Sequence, residues 1–135
     1  MKIVKQGLII GIANLLVGII FNQIINFLFP SLAKEYQNGL FRSWSDPLMM
    51  MFFLYPFILG IALAYFWQIF GNQIKGSTAV EKGLNFTKVY FFIATVPGMF
   101  VSYTSFKVSA LMVGSWTVSG LIEAFVAGWI LAKSK

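Results

Sequence analysis

Four long apolar runs occupy this chain, at roughly residues 7–29, 48–70, 84–106 and 108–132, and Glu123 is the only acidic residue inside any of them. Each run meets the ~20 apolar residues that a helix needs to cross a bilayer core. Lipid cannot hydrogen-bond to the backbone, so a spanning segment must be a helix or part of a closed barrel. These runs are too long for barrel strands and lack period-two alternation. The chain is therefore predicted to be an all-α integral membrane protein, a four-transmembrane-helix bundle. Its 135 residues leave no room for a separate soluble domain, which makes 1–135 a single membrane domain. A composition of 59% hydrophobic and 10% charged residues points the same way.

Cysteine and histidine are both absent, which excludes disulfides, thiol catalysis and metal or haem ligation by those side chains. No cofactor is expected. The formal charge of +6 does not indicate a nucleic-acid partner, because the basic residues sit at span ends, where they meet lipid headgroups. Their distribution sets the orientation. With the N-terminus inside, Lys2, Lys5, Lys75, Lys82, Lys88, Lys133 and Lys135 lie on the cytoplasmic side and Lys34, Arg42 and Lys107 outside. Seven against three predicts that both termini are cytoplasmic, in a multi-pass protein of the cell membrane. The first run exceeds the ~7–15-residue apolar core of a signal peptide and is read as a retained span.

Within the first span, Gly7, Gly11, Asn14, Gly18 and Asn22 fall within an arc of ~80° at 100° per residue. Small residues let helices approach and amides bond across them, so this is the predicted inward face. Asn14 and Asn22 then either glue the packing or line a polar cavity. Pro30 ends the span. The connection 31–47 interleaves Tyr36, Phe41 and Trp44 with Lys34, Glu35 and Arg42, as expected of an outer interfacial loop. At its end, Asp46 is an expected N-cap, Pro47 suits the first helical position, and Arg42 can pair with Asp46.

Span two carries Pro56, Gly60 and Ala64 on one face, with a kink expected at Pro56. Thr78 and Glu81 have the spacing of a capping box, which starts the third helix near residue 79. Span three places Ala94, Gly98, Ser102 and Ser105 on one face and is interrupted by Pro97-Gly98. That dipeptide predicts a kink or a short unwound segment whose freed carbonyls need partners, as at binding sites in broken transporter helices. Lys107 then turns the chain into a tight hairpin with span four, along which Gly114, Thr117, Gly120, Ala124 and Gly128 share one side.

Glu123 lies about 60° from Gly120 on the helical wheel, with Ser119 one turn away. A carboxylate near mid-bilayer costs at least ~2.5–3.5 kcal/mol on insertion scales, so its presence demands a reason. No span contains Arg, and the lysines lie at span ends. The neutral acid is therefore expected, able to donate to Asn14 or Asn22. It either makes a structural hydrogen bond or exchanges protons or cations. Paired acids, a nucleophile elbow and a phosphate loop are all missing, so no enzymatic activity is expected. Transport or small-ligand binding is the leading expectation, centred on Glu123, Asn14, Asn22, Pro97, Gly98, Ser102 and Ser119. The rival is a structural or accessory subunit of a larger membrane complex. Because a bundle this short encloses little volume, homo-oligomers or other membrane subunits are expected partners alongside the lipid bilayer.

Overall fold

The computed structural model describes residues 1–134, and among them every regular element is helical. The chain runs through α1 (Lys2–Leu28), a short α2 (Pro30–Glu35), α3 (Pro47–Met50), α4 (Tyr55–Phe70), α5 (Ala79–Tyr90), α6 (Val96–Ser105) and α7 (Ala110–Lys133). A 3-10 turn, Met51–Leu54, joins α3 to α4, and a π turn, Phe91–Thr95, joins α5 to α6. These joined pieces form continuous spans. Four helices, 2–28, 47–73, 79–105 and 110–133, are long and apolar enough to cross a membrane. Each boundary lies within about five residues of the corresponding sequence run.

Proline chemistry explains both irregular turns. Pro56 and Pro97 each stand in the first turn of the helix that follows, where a missing N–H costs nothing. The carbonyls one turn earlier lose their donor, and the backbone adjusts just before each proline. Around Pro97 that adjustment takes the π form, with the Val96 N–H reaching back five residues to the Phe91 carbonyl. The expected break in span three is thus a π turn N-terminal to Pro97-Gly98, and the helix continues without unwinding.

Caps at the helix starts follow the local sequence. Asp46 accepts from the Leu48 N–H at 2.9 Å and pairs with Arg42 at 2.9 Å. Those two contacts, the backbone bond first, hold the Asp46 carboxyl below its ordinary range. A depressed carboxyl stabilises the fold above its unfolded pKa, and the α3 cap is lost as pH falls through the folded value. Thr78 caps α5 by accepting from Glu81 N–H at 3.1 Å, and the Glu81 carboxylate turns back to the N–H and hydroxyl of Ser77.

Packing divides the bundle into two unequal halves. Toward the termini, Ile10, Leu63, Ala64, Phe86, Ala127 and Leu131 form the main core. Two glycine seams hold it. A Cβ on Gly60 would strike the Gly7 carbonyl oxygen, and one on Gly7 would lie 2.6 Å from Ile61 Cα, so α1 and α4 touch backbone to backbone. Gly83 and Gly128 do the same for α5 and α7, where a Cβ on Gly128 would sit 2.8 Å from Phe86 Cδ1.

At the opposite end the helices part. No residue of α3, of the following 3-10 turn or of α6 is buried. Gly98, Gly114 and Gly120 would each accept a Cβ with nothing within 4 Å, and Gly18 would meet only Glu123 Oε1 at 3.7 Å. The predicted small-residue seams therefore close only in the half nearest the termini. The hairpin between α6 and α7 is short in sequence but splayed, since α6 presents no buried face.

Residues 31–47 pack over the far end of α7. Leu32, Val108 and Met112 make a second, smaller core. The Tyr36 hydroxyl accepts from the Trp116 indole, beside Phe41. Burial pushes the Tyr36 phenol up, opposed by that hydrogen bond. Glu35 takes both the N–H and the hydroxyl of Ser109, each at 2.7 Å, which places a carboxylate at the start of α7 where the helix dipole favours it.

Candidate functional site

The four acidic residues now separate by role. Glu35, Asp46 and Glu81 all serve helix starts, the first two in the connection between spans one and two and Glu81 in the first turn of α5. Glu123 does not. It sits near the middle of α7, half-buried, and accepts from its own helix, Ser119 Oγ to Oε1 at 2.9 Å. Among the described residues Arg42–Asp46 is the one ion pair, so no cation neutralises Glu123.

Helix register places the neighbours of this carboxyl. Gln6 donates to the Ser134 carbonyl at 3.3 Å, and Gly18 faces Glu123. Twelve residues along α1 thus match eleven along α7, and the two helices run antiparallel at equal rise. Asn14 then lies one turn, ~6 Å, closer to the termini than Glu123, level with buried Ala127. On the other side, the Gly83 and Gly128 contact brings Tyr90, the last residue of α5, to the level of Glu123. Tyr55, which opens α4, approaches Tyr90, and both phenols stand within electrostatic reach of the Glu123 carboxyl. Polar residues Asn14, Tyr55, Tyr90, Ser119 and Glu123 therefore occupy the middle stretch of the bundle, on all four of the long apolar helices.

Asn14 is the least satisfied member. It is 1% exposed, and neither its Nδ2 nor its Oδ1 has a hydrogen-bond partner. Leaving such a group unpaired costs about 1–3 kcal/mol in a protein interior. The Thr95 side chain, at the end of the π turn, is also buried, at 6% exposure. The inner end of the splayed half is thus polar, and its faces mix apolar side chains with Asn22 of α1 and the hydroxyls of Ser102 and Thr104 of α6.

The residues singled out from sequence fall into two groups. Ser119 and Glu123 are joined by a hydrogen bond, and Asn14 lies one turn nearer the termini. Asn22, Pro97 and Gly98 are exposed, and Ser102 returns its hydroxyl to the Gly98 carbonyl at 2.8 Å. Asn22 is level with Ser119 but lies where span two has drawn away from α1. Neither asparagine hydrogen-bonds to Glu123, whose partner is Ser119. Tyr55 and Tyr90 escaped the sequence reading. Tyrosine usually sits at membrane interfaces, so two of them well inside apolar spans were a usable signal.

Comparison of the chain with protein-family models, with curated proteins and with solved structures finds no match. Fold and site together define a class. This is an all-helical protein with four helices suited to crossing a membrane and one carboxyl in its interior.

Proposed function

We propose that the chain is a small, non-enzymatic membrane protein that binds or transports a small ligand at Glu123. The observation that carries this reading is a half-buried carboxyl without a countercharge, at the base of a splayed half-bundle and one turn from an unpaired buried amide. A carboxyl so placed can release a proton when a cation or a cationic ligand arrives and take it back when the ligand leaves. Tyr55, Tyr90 and Asn14 supply donors and acceptors for the neutral parts of such a ligand. Protonation equilibria inside a membrane mark proton- and ion-coupled pathways generally.

A lipophilic carbodiimide tests the site directly, because it reacts with the acid form of a carboxyl in an apolar medium. Glu123 is expected to be the labelled residue, at a rate that falls as pH rises, with no labelling of Glu123→Gln. Absence of labelling at any pH would mean a sealed, structural carboxyl and would overturn the reading.

The splayed half supports a further element of the proposal, namely that the working unit is an oligomer or includes another membrane subunit. The faces of α3 and α6 bury nothing within one chain. Protein against those faces would turn an open groove into a walled pathway ending at Glu123.

The proposed orientation puts both termini in the cytoplasm. Ser43 and Ser77 lie in connections at opposite ends of the bundle, and the chain has no native cysteine. A membrane-impermeant thiol reagent applied outside intact cells is expected to label Ser43→Cys and to spare Ser77→Cys. The reverse pattern would invert the topology, and labelling of both would remove a span.

A further inference from the structure

Four helix ends meet at the face of the bundle that carries the termini, and between them lies a cavity of about 360 Å³. That volume is within the range of small-ligand sites. Its polar lining comes from Lys2 and Gln6 of α1, Trp67 and Gln68 at the end of α4, Asn72 in the following turn, Lys82 in the first turn of α5 and Ser134, whose carbonyl accepts from Gln6. Among the described residues, no acidic side chain contributes to the wall. Glu81, beside Lys82 in the chain, has its carboxylate committed to the Ser77 N–H and hydroxyl. Two helix N-termini and two C-termini converge here, so the helix dipoles largely cancel and the sign of the site is set by the lysines.

The donors are also uncommitted. Among the described residues, neither lysine forms an ion pair and the side-chain amides of Gln68 and Asn72 have no hydrogen-bond partner. Two ammonium groups, two amides and an indole N–H around one concavity match a tetrahedral, multiply negative oxyanion. In a membrane-spanning bundle this end of the helices stands at headgroup depth, where the phosphates of lipids lie.

We propose that this terminal-face cavity binds a phosphate group, carried either on an anionic lipid headgroup or on a small soluble anion. Lys2 and Lys82 neutralise its charge, and Gln68 and Asn72 donate to its oxygens. The site is separate from Glu123 and does not depend on what that carboxyl binds.

The test uses the full chain in a non-ionic detergent, with native mass spectrometry reading bound ligand. Three probes are titrated: short-chain phosphatidic acid, phosphatidylcholine of the same chain length, and inorganic phosphate. Phosphatidic acid is expected to bind at least tenfold tighter than phosphatidylcholine. The double variant Lys2→Gln with Lys82→Gln should weaken it at least tenfold, while Lys2→Arg with Lys82→Arg retains it. Lys34→Gln with Lys107→Gln, at the far end of the bundle, should leave it unchanged. Phosphatidic acid binding tighter than inorganic phosphate assigns the ligand to the lipid. Equal binding of the two assigns it to a free phosphate. The proposal is overturned if phosphatidylcholine binds as well as phosphatidic acid, if neither phosphate probe binds, or if the double glutamine variant binds like the parent. Lys2 is exposed and Lys82 partly buried, and an unchanged helical spectrum and melting temperature confirm that the variants fold.

Discussion

Gly60→Ala is expected to loosen the bundle severely, whereas the much larger change Gly98→Leu is expected to be nearly silent. The reason is backbone proximity. The added Cβ at residue 60 would run into the Gly7 carbonyl oxygen and lie 3.1 Å from the Gly11 nitrogen. Main-chain atoms of a packed helix cannot rotate aside as a side chain does, so α1 and α4 must separate along their whole seam. Overpacking of this kind costs typically ~1–3 kcal/mol, and a backbone clash belongs at the upper end. Gly98 faces open space on α6. Denaturant titration in mixed micelles measures both. Equal midpoints for the two variants would show that the close approach of α1 and α4 is not what holds the bundle.

The second large effect is at Glu123. Gln preserves the size and the hydrogen bond to Ser119 but has no proton to release. Under the proposed function, Glu123→Gln keeps the parent melting temperature and abolishes the pH dependence of ligand binding or flux, with at least a tenfold loss of the proton-coupled rate. Glu123→Leu adds the diagnostic step. Because the partner of the carboxyl lies one turn away on the same helix, Ser119 can return its hydroxyl to its own backbone, as Ser115 and Thr117 already do. The Leu variant is therefore expected to lose little stability, under ~1 kcal/mol, while losing activity as completely as Gln. A loss of ~1–3 kcal/mol with Leu, restored by Gln, would instead mark Glu123 as a structural hydrogen-bonding group.

Most of the helix layout was legible in sequence because its determinants are local. Apolar length marks a span, Asp46-Pro47 marks a helix start, and Thr78 with Glu81 marks another. The site was legible only in part. Ser119 and Glu123 are one helical turn apart, and that spacing alone brings them together. The approach of Tyr90 to Glu123 depends instead on how Gly83 and Gly128 set the register of α5 against α7. Likewise Glu35 meets Ser109, and Tyr36 meets Trp116, across 74 and 80 residues of chain. Periodicity on one helix contains no information about such pairings.

Small-residue stripes misled for a related reason. A stripe shows that close approach is permitted, not that a neighbour is there. Gly7, Gly60, Gly83 and Gly128 each meet another helix, while Gly98, Gly114 and Gly120, in similar patterns, meet nothing. What separates the two sets is position along the spans. Large side chains such as Phe86 and Leu63 draw the helices together near the termini, and comparable residues in α3 and α6 point outward.

The π turn at Phe91–Thr95 leaves a counting consequence for any later comparison of this span. A reach of five residues in place of four inserts one position into the helical repeat. One position is about 100° of rotation, so a wheel drawn straight from α5 into α6 assigns the wrong azimuth to everything beyond Thr95. A chain shorter by a single residue within 91–95 would thread an ordinary α-helix and keep the Gly98–Ser102 face where it is, because the π turn absorbs one extra position. A single-residue gap at this point therefore leaves the outer segment equivalently aimed, whereas a full-length chain without the π turn would have that segment rotated.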